Sequence, residues 1–523
     1  MRYLLIFLLP LLLFSTSFKV ASYNVENLFD AEYVGTEYDD YTVKHNWTKR
    51  MVDIKLNHVA EVICDLNADI LGLQEIENTN IFEQLKKRLS RVGCGYRYSA
   101  ISSKKDAPIQ VALLSRFPIK KQRELQVSYS PMVRNILEVE IDVNGEPLWI
   151  FVNHWKSRAY HGLESKRMKY AKALKKRLDT LLKSKPYIVL GDFNTDYDAH
   201  LSLEKKIDDT NGKTGLHHIL NIAKNGDLVT ESDMLQNLSG YHYTLWKELV
   251  LDQRWNTKFY GKKGTADHIV LPSSLFDQKG IEYVNNSFKV FRKGYLFTKR
   301  GYINRWQYKK GKHRGKGYSD HLPVYAYFDT KPYVPGTDKK SVKKKRETKK
   351  IEYFYTQEAL ENEVVVKNAV VIWKQRGNAI IKQTKEGRGI FLFGCAGELK
   401  VGKKYDLLVR SVKTYKGLKE LTHVYVLQDK GKEDSSKYVL RTADLSKDIS
   451  KRQNEVITDL AGTYKNRHFY VEGRKIPIYF KKKKSTPANG SKLKIHNALL
   501  GYYKKLQLVI YSTKDFKVIS NHR

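Results

Sequence analysis

Cysteine is scarce. The 523-residue chain holds three, Cys64, Cys94 and Cys395. Three cannot build a disulfide scaffold in a chain of this length, and their spacing supplies no cysteine-based metal site. One bridge, Cys64–Cys94, is allowed, which leaves Cys395 over. Long apolar runs are also missing. Beyond the N-terminal residues no segment is apolar enough to cross a membrane, and no apolar hairpin suited to inserting into lipid is legible. Acidic residues are few beside basic ones: 56 Asp+Glu against 94 Lys+Arg, a formal charge of +38. A net charge in single figures would serve solubility. A field this large points to a polyanionic partner: nucleic acid, an anionic membrane surface or an acidic polysaccharide.

The N-terminus reads as a secretory signal over residues 1–17. Arg2 supplies the positive start, Leu4 to Phe14 the short apolar core, and Ser15-Thr16-Ser17 the small residues for cleavage. The mature chain is then expected to begin at Phe18 and to be exported, to the periplasm or outside the cell. A retained anchor is the alternative. The length suits two to four domains.

Short apolar runs that end in polar residues dominate the next three hundred positions. Phe18 to Asn24 alternates as a strand. Val52, Leu56, Val59, Ile63 and Leu66 mark one face of a helix over 48–66. Asp69 to Glu75 reads as a buried strand and 79–90 as a helix. Strands follow over 111–114, 136–143 and 148–152, with Asn144-Gly145 as a hairpin turn between the last two. A helix over 164–183 presents Ala171, Leu174, Leu178 and Leu181 inward. Ile188 to Leu190, Asp267 to Leu271 and the segment into Phe328 complete the strands. The mixture of strand–helix alternation and hairpins predicts an α/β fold, two sheets packed together with helices outside, over 18–330.

Residues 331–350 read as a basic linker. Beyond it five strands are expected over 364–373, 379–383, 389–393, 404–412 and 421–427. A weak repeat follows: Arg388 to Phe393, Leu399 to Lys403 and Tyr415 to Leu421 resemble Lys475 to Phe480, Gly490 to Lys494 and Tyr503 to Leu508. Two small all-β barrels of the oligonucleotide-binding (OB) sort are expected over 351–432 and 456–523, joined by a connector over 433–455.

The stretch with most chemistry is Gly191-Asp192-Phe193-Asn194, at the end of the Ile188 strand. Strand alternation would put Asp192 and Asn194 on one face. Other strands end alike: Asn24, Glu75, Asn153-His154, Asp267 and Asp320-His321. One sheet edge can gather such ends. Carboxylates there hold a hard divalent cation, and a histidine fixed by a carboxylate can take a proton from water.

Six motifs occur in order: Ser22-Tyr-Asn-Val-Glu-Asn27, Leu73-Gln-Glu-Ile-Glu77, Val152-Asn-His-Trp-Lys156, Leu190-Gly-Asp-Phe-Asn194, Thr265-Ala-Asp-His268 and Ser319-Asp-His-Leu-Pro-Val324. Together they resemble the endonuclease/exonuclease/phosphatase superfamily, the pancreatic-deoxyribonuclease-like fold. The resemblance covers Phe18 to Phe328. It implies a four-layer α/β-sandwich with the site at one edge of paired sheets. It also implies roles: Asn24 and Glu75 at the metal, with Asp320 near it; His154 as the first catalytic histidine; Asp192 and Asn194 orienting nucleophile and phosphate; His321 as general base with Asp267 behind it. Asn153, Lys156 and Arg158 fall where relatives contact substrate. Many relatives place an acidic residue behind the first histidine, and the matching position here is Gln110. Glutamine can hydrogen-bond an imidazole but cannot stabilise its charged form. His58, His217 and His268 read as structural or surface groups.

The charge and the segment Arg292 to Tyr318 favour nucleic acid among the fold's substrates. There Lys and Arg, including Arg305, interleave with Tyr295, Phe297, Tyr302, Trp306 and Tyr308, and the segment runs into Ser319-Asp320-His321. The expected protein is an exported, monomeric endonuclease dependent on Mg²⁺, with Mn²⁺ or Ca²⁺ as alternatives. It would cleave DNA, or RNA, with little sequence preference, and the resemblance implies 5′-phosphate and 3′-hydroxyl ends. A phospholipid phosphodiesterase or phosphoinositide phosphatase is the alternative enzyme, and a decayed nucleic-acid-binding protein the alternative without catalysis.

Overall fold

The computed structural model describes residues 16–159, 162–181, 185–259, 262–335, 346–446 and 452–520. The expected signal core and the basic run Lys343 to Arg346 lie outside those residues, save Thr16, Ser17 and Arg346. Two compact units form: Met1–Leu249 with Gln253–Lys343, and Lys344–Arg523 with Val250–Asp252.

The first unit is built on two mixed sheets. In the first, strands β1 (Ser17–Leu28), β2 (Ile70–Ile76), β3 (Tyr98–Ile101) and β4 (Gln110–Ser115) are joined by Val324–Asp329 and Glu282–Tyr283, in the order 282–283, 324–329, β1, β2, β4, β3. In the second, β5 (Ile119–Leu125), β6 (Ile136–Val143), β7 (Glu146–His154) and β8 (Tyr187–Asp192) are joined by Asp267–Leu271 and Tyr243–Thr244, in the order 243–244, 267–271, β8, β7, β6, β5. β1 runs parallel to β2 and β7 parallel to β8, so both pairs need crossovers. Helix α1 (Lys49–Leu66) makes the first crossover and α3 (Glu164–Leu181) the second, with α2 (Thr79–Arg91) after β2. Thr48 caps α1 by accepting from the Met51 amide, and Asn67 closes it in the left-handed region.

Helices α1 and α2 bury Leu56, Val59, Ile63, Phe82 and Leu85 with Leu71, Leu73 and Ala112 of the first sheet. Between the sheets Val20, Val111 and Leu113 pack with Val152, Ile188 and Leu190, and α3 contributes Ala171, Leu174 and Leu178 to the same core. The result is the four-layer α/β-sandwich that the motifs imply. The sheets meet so closely at Gly72 that a Cβ there would stand 2.4 Å from Leu190 Cδ1.

The second unit holds two closed barrels. In the first, strands Val364–Gln375, Asn378–Lys382, Ile390–Leu392, Lys403–Tyr415 and Leu418–Lys432 pair in the order one, two, three, five, four, and strand four closes on strand one. In the second, Glu455–Lys465, His468–Val471, Arg474–Phe480, Lys492–Tyr502 and Leu506–Ile510 repeat that order and closure. Strands three and five are parallel in both. This is the OB-like arrangement, and the weak sequence repeat falls on equivalent strands of the two barrels. The 433–455 connector is not loose where described: Leu440 and Leu445 are buried in the second barrel's core.

Candidate active site

Register assembles the site. β7 and β8 are paired so that His154 lies opposite Asp192, and Asp267 lies opposite Asp192 on its other side. Three motifs therefore end in one row across the second sheet. On the first sheet Asn24 pairs with Gln74, and the register breaks between Gln74 and Ile76, where Glu75 adopts φ +67°. That bulge turns Glu75 off the strand pattern and toward the row. Asn194, past the end of β8 at φ +49°, leaves strand geometry as well. It still meets Asp192, donating Nδ2 to Oδ2 at 3.2 Å and its amide to Oδ1 at 2.8 Å. Gly191 makes the row possible. It sits at φ +132°, and a Cβ there would lie 2.0 Å from the Asn153 carbonyl oxygen.

Asn24 Nδ2 donates to Glu75 Oε1 at 2.9 Å and to Asp192 Oδ2 at 3.1 Å. His154 Nε2 stands 3.7 Å from Glu75 Oε1 and 3.6 Å from Asp192 Oδ2. Ligand atoms of Glu75, His154 and Asp192 all fall within 4.8 Å of one another. Burial pushes the Glu75 carboxyl up, reinforced by Asp320, and raises Asp192 to about 7. Burial, with Arg134 behind it, holds His154 well below the usual imidazole range. Two crowded carboxylates, Asp192 buried and Glu75 part-buried, form a donor set beside the neutral imidazole that a divalent cation would fit, since its charge relieves their repulsion and desolvation.

His321 faces the same point. Its Nδ1 lies 2.5 Å from Asp267 Oδ2, and its Nε2 lies 4.0 Å from both Asp192 Oδ2 and Asp320 Oδ1. Burial alone would favour the neutral ring, but Asp267, then Asp192 and Asp320, raise its pKa well above the ordinary value. Asp267 is itself 1% exposed and accepts from Asn256 Nδ2 through the same oxygen. Ser319 Oγ donates to the Asn24 carbonyl at 2.7 Å and accepts from the His321 amide at 3.0 Å, tying the last motif to β1.

The remaining expected contacts divide. Asp320 stands outside the Glu75–His154–Asp192 cluster and lies 3.6 Å from Arg305 Nη2. Arg305, half exposed at the rim, is also paired with Glu26, whose carboxyl burial lifts to about 7. Arg158 is held by Asp196 at 2.8 Å and by the Asn194 carbonyl at 2.8 Å, and Lys156 is part-buried. Two expectations fail. Asn153 is fully buried, with Nδ2 donated to the Phe151 and Leu190 carbonyls and Oδ1 accepting from Trp155 Nε1. Its side chain serves the strand pairing and cannot reach substrate. Trp306 is 3% exposed, donates Nε1 to His313 and lies under Lys55. It packs against Lys55 and His58 of α1, so its ring is not open to a base, and Phe297 is part-buried against Trp255. Of that segment's aromatics Tyr302 and Tyr308 are exposed. Between Arg305 and Asp320 a small hairpin opens a depression lined by Gln307, Lys309, Lys310, Arg314 and Lys316.

Gln110 does not stand behind His154. Its amide donates to the Lys104 and Ala107 carbonyls and its oxygen accepts from Ser102. His154 Nδ1 is buried with no hydrogen-bond partner among the described residues. Its orientation comes from the backbone, where Arg134 grips the His154 and Trp155 carbonyls at 3.1 and 2.9 Å. Arg134 and Asn256 carry no strand-end signature, and only the pairing of distant segments reveals them; Ser319 stands in the last motif, but its part in the site shows only in its bond to the Asn24 carbonyl. His268 is structural, with Nε2 2.8 Å from the Thr195 carbonyl.

Paired sheets with carboxylates and histidines at one edge define a scaffold for phosphoester hydrolysis. The endonuclease/exonuclease/phosphatase family profile matches residues 19–330, and the chain belongs to that family. No curated protein matches the chain significantly. Among solved structures, it is similar to D. rerio TDP2 humanized by 14 mutations, at 16% identity over 60% of this chain and 98% of that one, with a TM-score of 0.38. A Bacteroides thetaiotaomicron mannosyl-6-phosphatase is similar at 16% identity over 60% and 99%, TM-score 0.36. A further family protein from B. thetaiotaomicron aligns at 14% identity over 60% and 98%, TM-score 0.37.

Proposed function

We propose that the protein is an exported, metal-dependent endonuclease that hydrolyses phosphodiester bonds of DNA, with RNA the alternative polymer, at low sequence specificity. The observation that carries the reading is the His321–Asp267 pair facing the Glu75–His154–Asp192 cluster. A divalent cation held by Glu75 and Asp192 beside Asn24, most simply Mg²⁺, would neutralise charge on a phosphoryl oxygen and on the departing oxygen. His321 Nε2 takes the proton from a water that attacks phosphorus in line, while Asp267 holds Nδ1–H and steadies the imidazolium. Asp192 and Asn194 orient that water and the phosphate. His154, kept neutral by burial, can donate Nε2–H to a phosphoryl oxygen. Attack forms the new P–O bond as the P–O3′ bond breaks; the departing 3′-oxygen takes a proton from solvent water and His321 returns its own to solvent, leaving 5′-phosphate and 3′-hydroxyl ends.

A polymeric anion is favoured by the +38 charge and by the depression lined by Lys309, Lys310, Arg314 and Lys316, in the segment that leads into Asp320-His321. Export is supported by the Cys64–Cys94 disulfide, Cα–Cα 5.6 Å, a bond suited to an oxidising compartment. No described helix is long and apolar enough to cross a membrane. The test is nicking of supercoiled plasmid by the mature chain with Mg²⁺ and with chelator, beside His154→Ala and His321→Ala. Metal-dependent nicking lost in both variants is expected. Turnover of phosphomonoesters without plasmid cleavage would replace the nuclease reading with a phosphatase.

A further inference from the structure

The two barrels share a topology but not a surface. In the first, Ile380 and Lys382 of strand two and Phe391 of strand three point outward and are buried, and Asn378 at the end of strand two is part-buried. With Val370 and Ile372, Ile380 and Phe391 form a separate apolar cluster against Val456, Leu499 and Val509 of the second barrel. The contact is locked by an ion pair between Lys382 Nζ and Glu455 Oε2 at 2.7 Å, 0% and 1% exposed. The second barrel covers this face with strands one, four and five, so its own strands two and three stay open. Their inward residues, Phe469, Val471, Ile476, Ile478 and Phe480, fill its core. Their outward residues are of another kind: Tyr470 is 37% exposed and Tyr479 42%, with exposed Lys475 between them. Tyr470 pairs with Lys475 across the ladder, and Tyr479 lies four residues further along that strand, ~13 Å at the usual rise. Lys481 Nζ lies 5.7 Å from the Tyr479 ring centroid. Residues 456–520 carry fourteen Lys and Arg against three Asp and Glu.

We propose that the second barrel binds single-stranded nucleic acid across the outer face of His468–Val471 and Arg474–Phe480. Tyr470 and Tyr479 stack bases and Lys475, Lys481 and their neighbours meet phosphates. The first barrel's equivalent face is used up as the joint between the barrels. Exposed rings spaced along a cationic sheet are what distinguish a single strand from a duplex or a sulfated polysaccharide, which offer no free base to stack. The inference is independent of the catalytic reading.

The test is fluorescence anisotropy of a labelled oligothymidylate with the full-length chain, in chelator so that nothing is cut, with heparin as competitor. The Tyr470→Ala/Tyr479→Ala variant is expected to lose oligonucleotide affinity by roughly tenfold for each ring, with its heparin affinity unchanged. The Tyr470→Phe/Tyr479→Phe variant keeps the rings and is expected to bind as wild type. Phe393→Ala, at the exposed end of strand three in the first barrel, is expected to change nothing. Unchanged binding in the double-alanine variant overturns the proposal. So does an equal loss in Phe393→Ala, or a loss of heparin and oligonucleotide affinity together on removing the tyrosines, which would mark a polysaccharide face. Because chelator is present throughout, failure here leaves the nuclease assay untouched.

Discussion

Replacing Asp267 by asparagine isolates charge from geometry. Asp267 Oδ2 accepts from both His321 Nδ1 and Asn256 Nδ2, while Oδ1 is buried without a hydrogen-bond partner among the described residues. An asparagine with its oxygen in the Oδ2 place keeps both acceptor roles and leaves its NH₂ where Oδ1 was. What disappears is a negative charge beside the imidazolium. At ~4 Å between charge centres and an effective dielectric of ~20, the lost attraction is about 4 kcal/mol, or about three pH units. Asp192 and Asp320 remain, so that figure is a ceiling. The sign follows from the base role. His321 works as the neutral ring, and Asp267 favours the charged ring. Asp267→Asn therefore moves the acid limb of kcat/KM to lower pH. It also weakens the base, so the plateau falls by about ten- to a hundredfold, within the range of general acid–base contributions. Asp267→Ala, which also frees the ring, is expected to lose more. The assay is hydrolysis of bis(p-nitrophenyl) phosphate over pH about 5 to 9 at saturating metal. An acid limb and plateau that stay in place would refute the reasoning.

Gly191→Ala is expected to destabilise the first unit by about 3 kcal/mol or more, because the new Cβ meets the Asn153 carbonyl and the backbone sits at positive φ; urea unfolding measures it. Lys382→Met strands Glu455, whose carboxyl burial already pushes up, and should cost the C-terminal unit about 3–5 kcal/mol in the same measurement. Burial lowers His242 to about 4, despite its Leu220 carbonyl partner, so its contribution is complete above an unfolded pKa of about 6.5 and is lost as pH falls. By pH 4 that loss is about 3 kcal/mol. His242→Gln should accordingly show a shallower fall in stability between about pH 6.5 and 4 than wild type, and coincident slopes would contradict it.

The amino-acid pattern alone determined the strands that carry the motifs, the three long helices, the repeat behind the two barrels and the six motifs, because each is a local matter of periodicity and of polar residues ending an apolar run; edge strands such as Tyr98–Ile101 and Ile119–Leu125 were not legible in it. Thr48 to Leu66 needed only its own spacing to declare a helix, and Asp192 and His321 needed only their neighbours to declare themselves. Which polar groups meet was settled by pairing over long separations. Asn256 and Arg134 enter the site through segments outside the motifs they support, Ser319 of the last motif finds its partner only at the distant Asn24 carbonyl, and Gln110 stays out because its amide closes its own loop. Burial was equally a tertiary decision. Asn153 and Trp306 look like contact residues in the sequence, yet strand register seals one in the sheet and helix α1 covers the other. The same holds for the barrels. Ile380 and Phe391 in the first barrel and Tyr470 and Tyr479 in the second lie on strands two and three alike, and only the packing of one barrel on the other decides that the first pair is core and the second surface. Hydrophobic burial is set by what arrives from elsewhere in the chain, and that is not written at the position it covers.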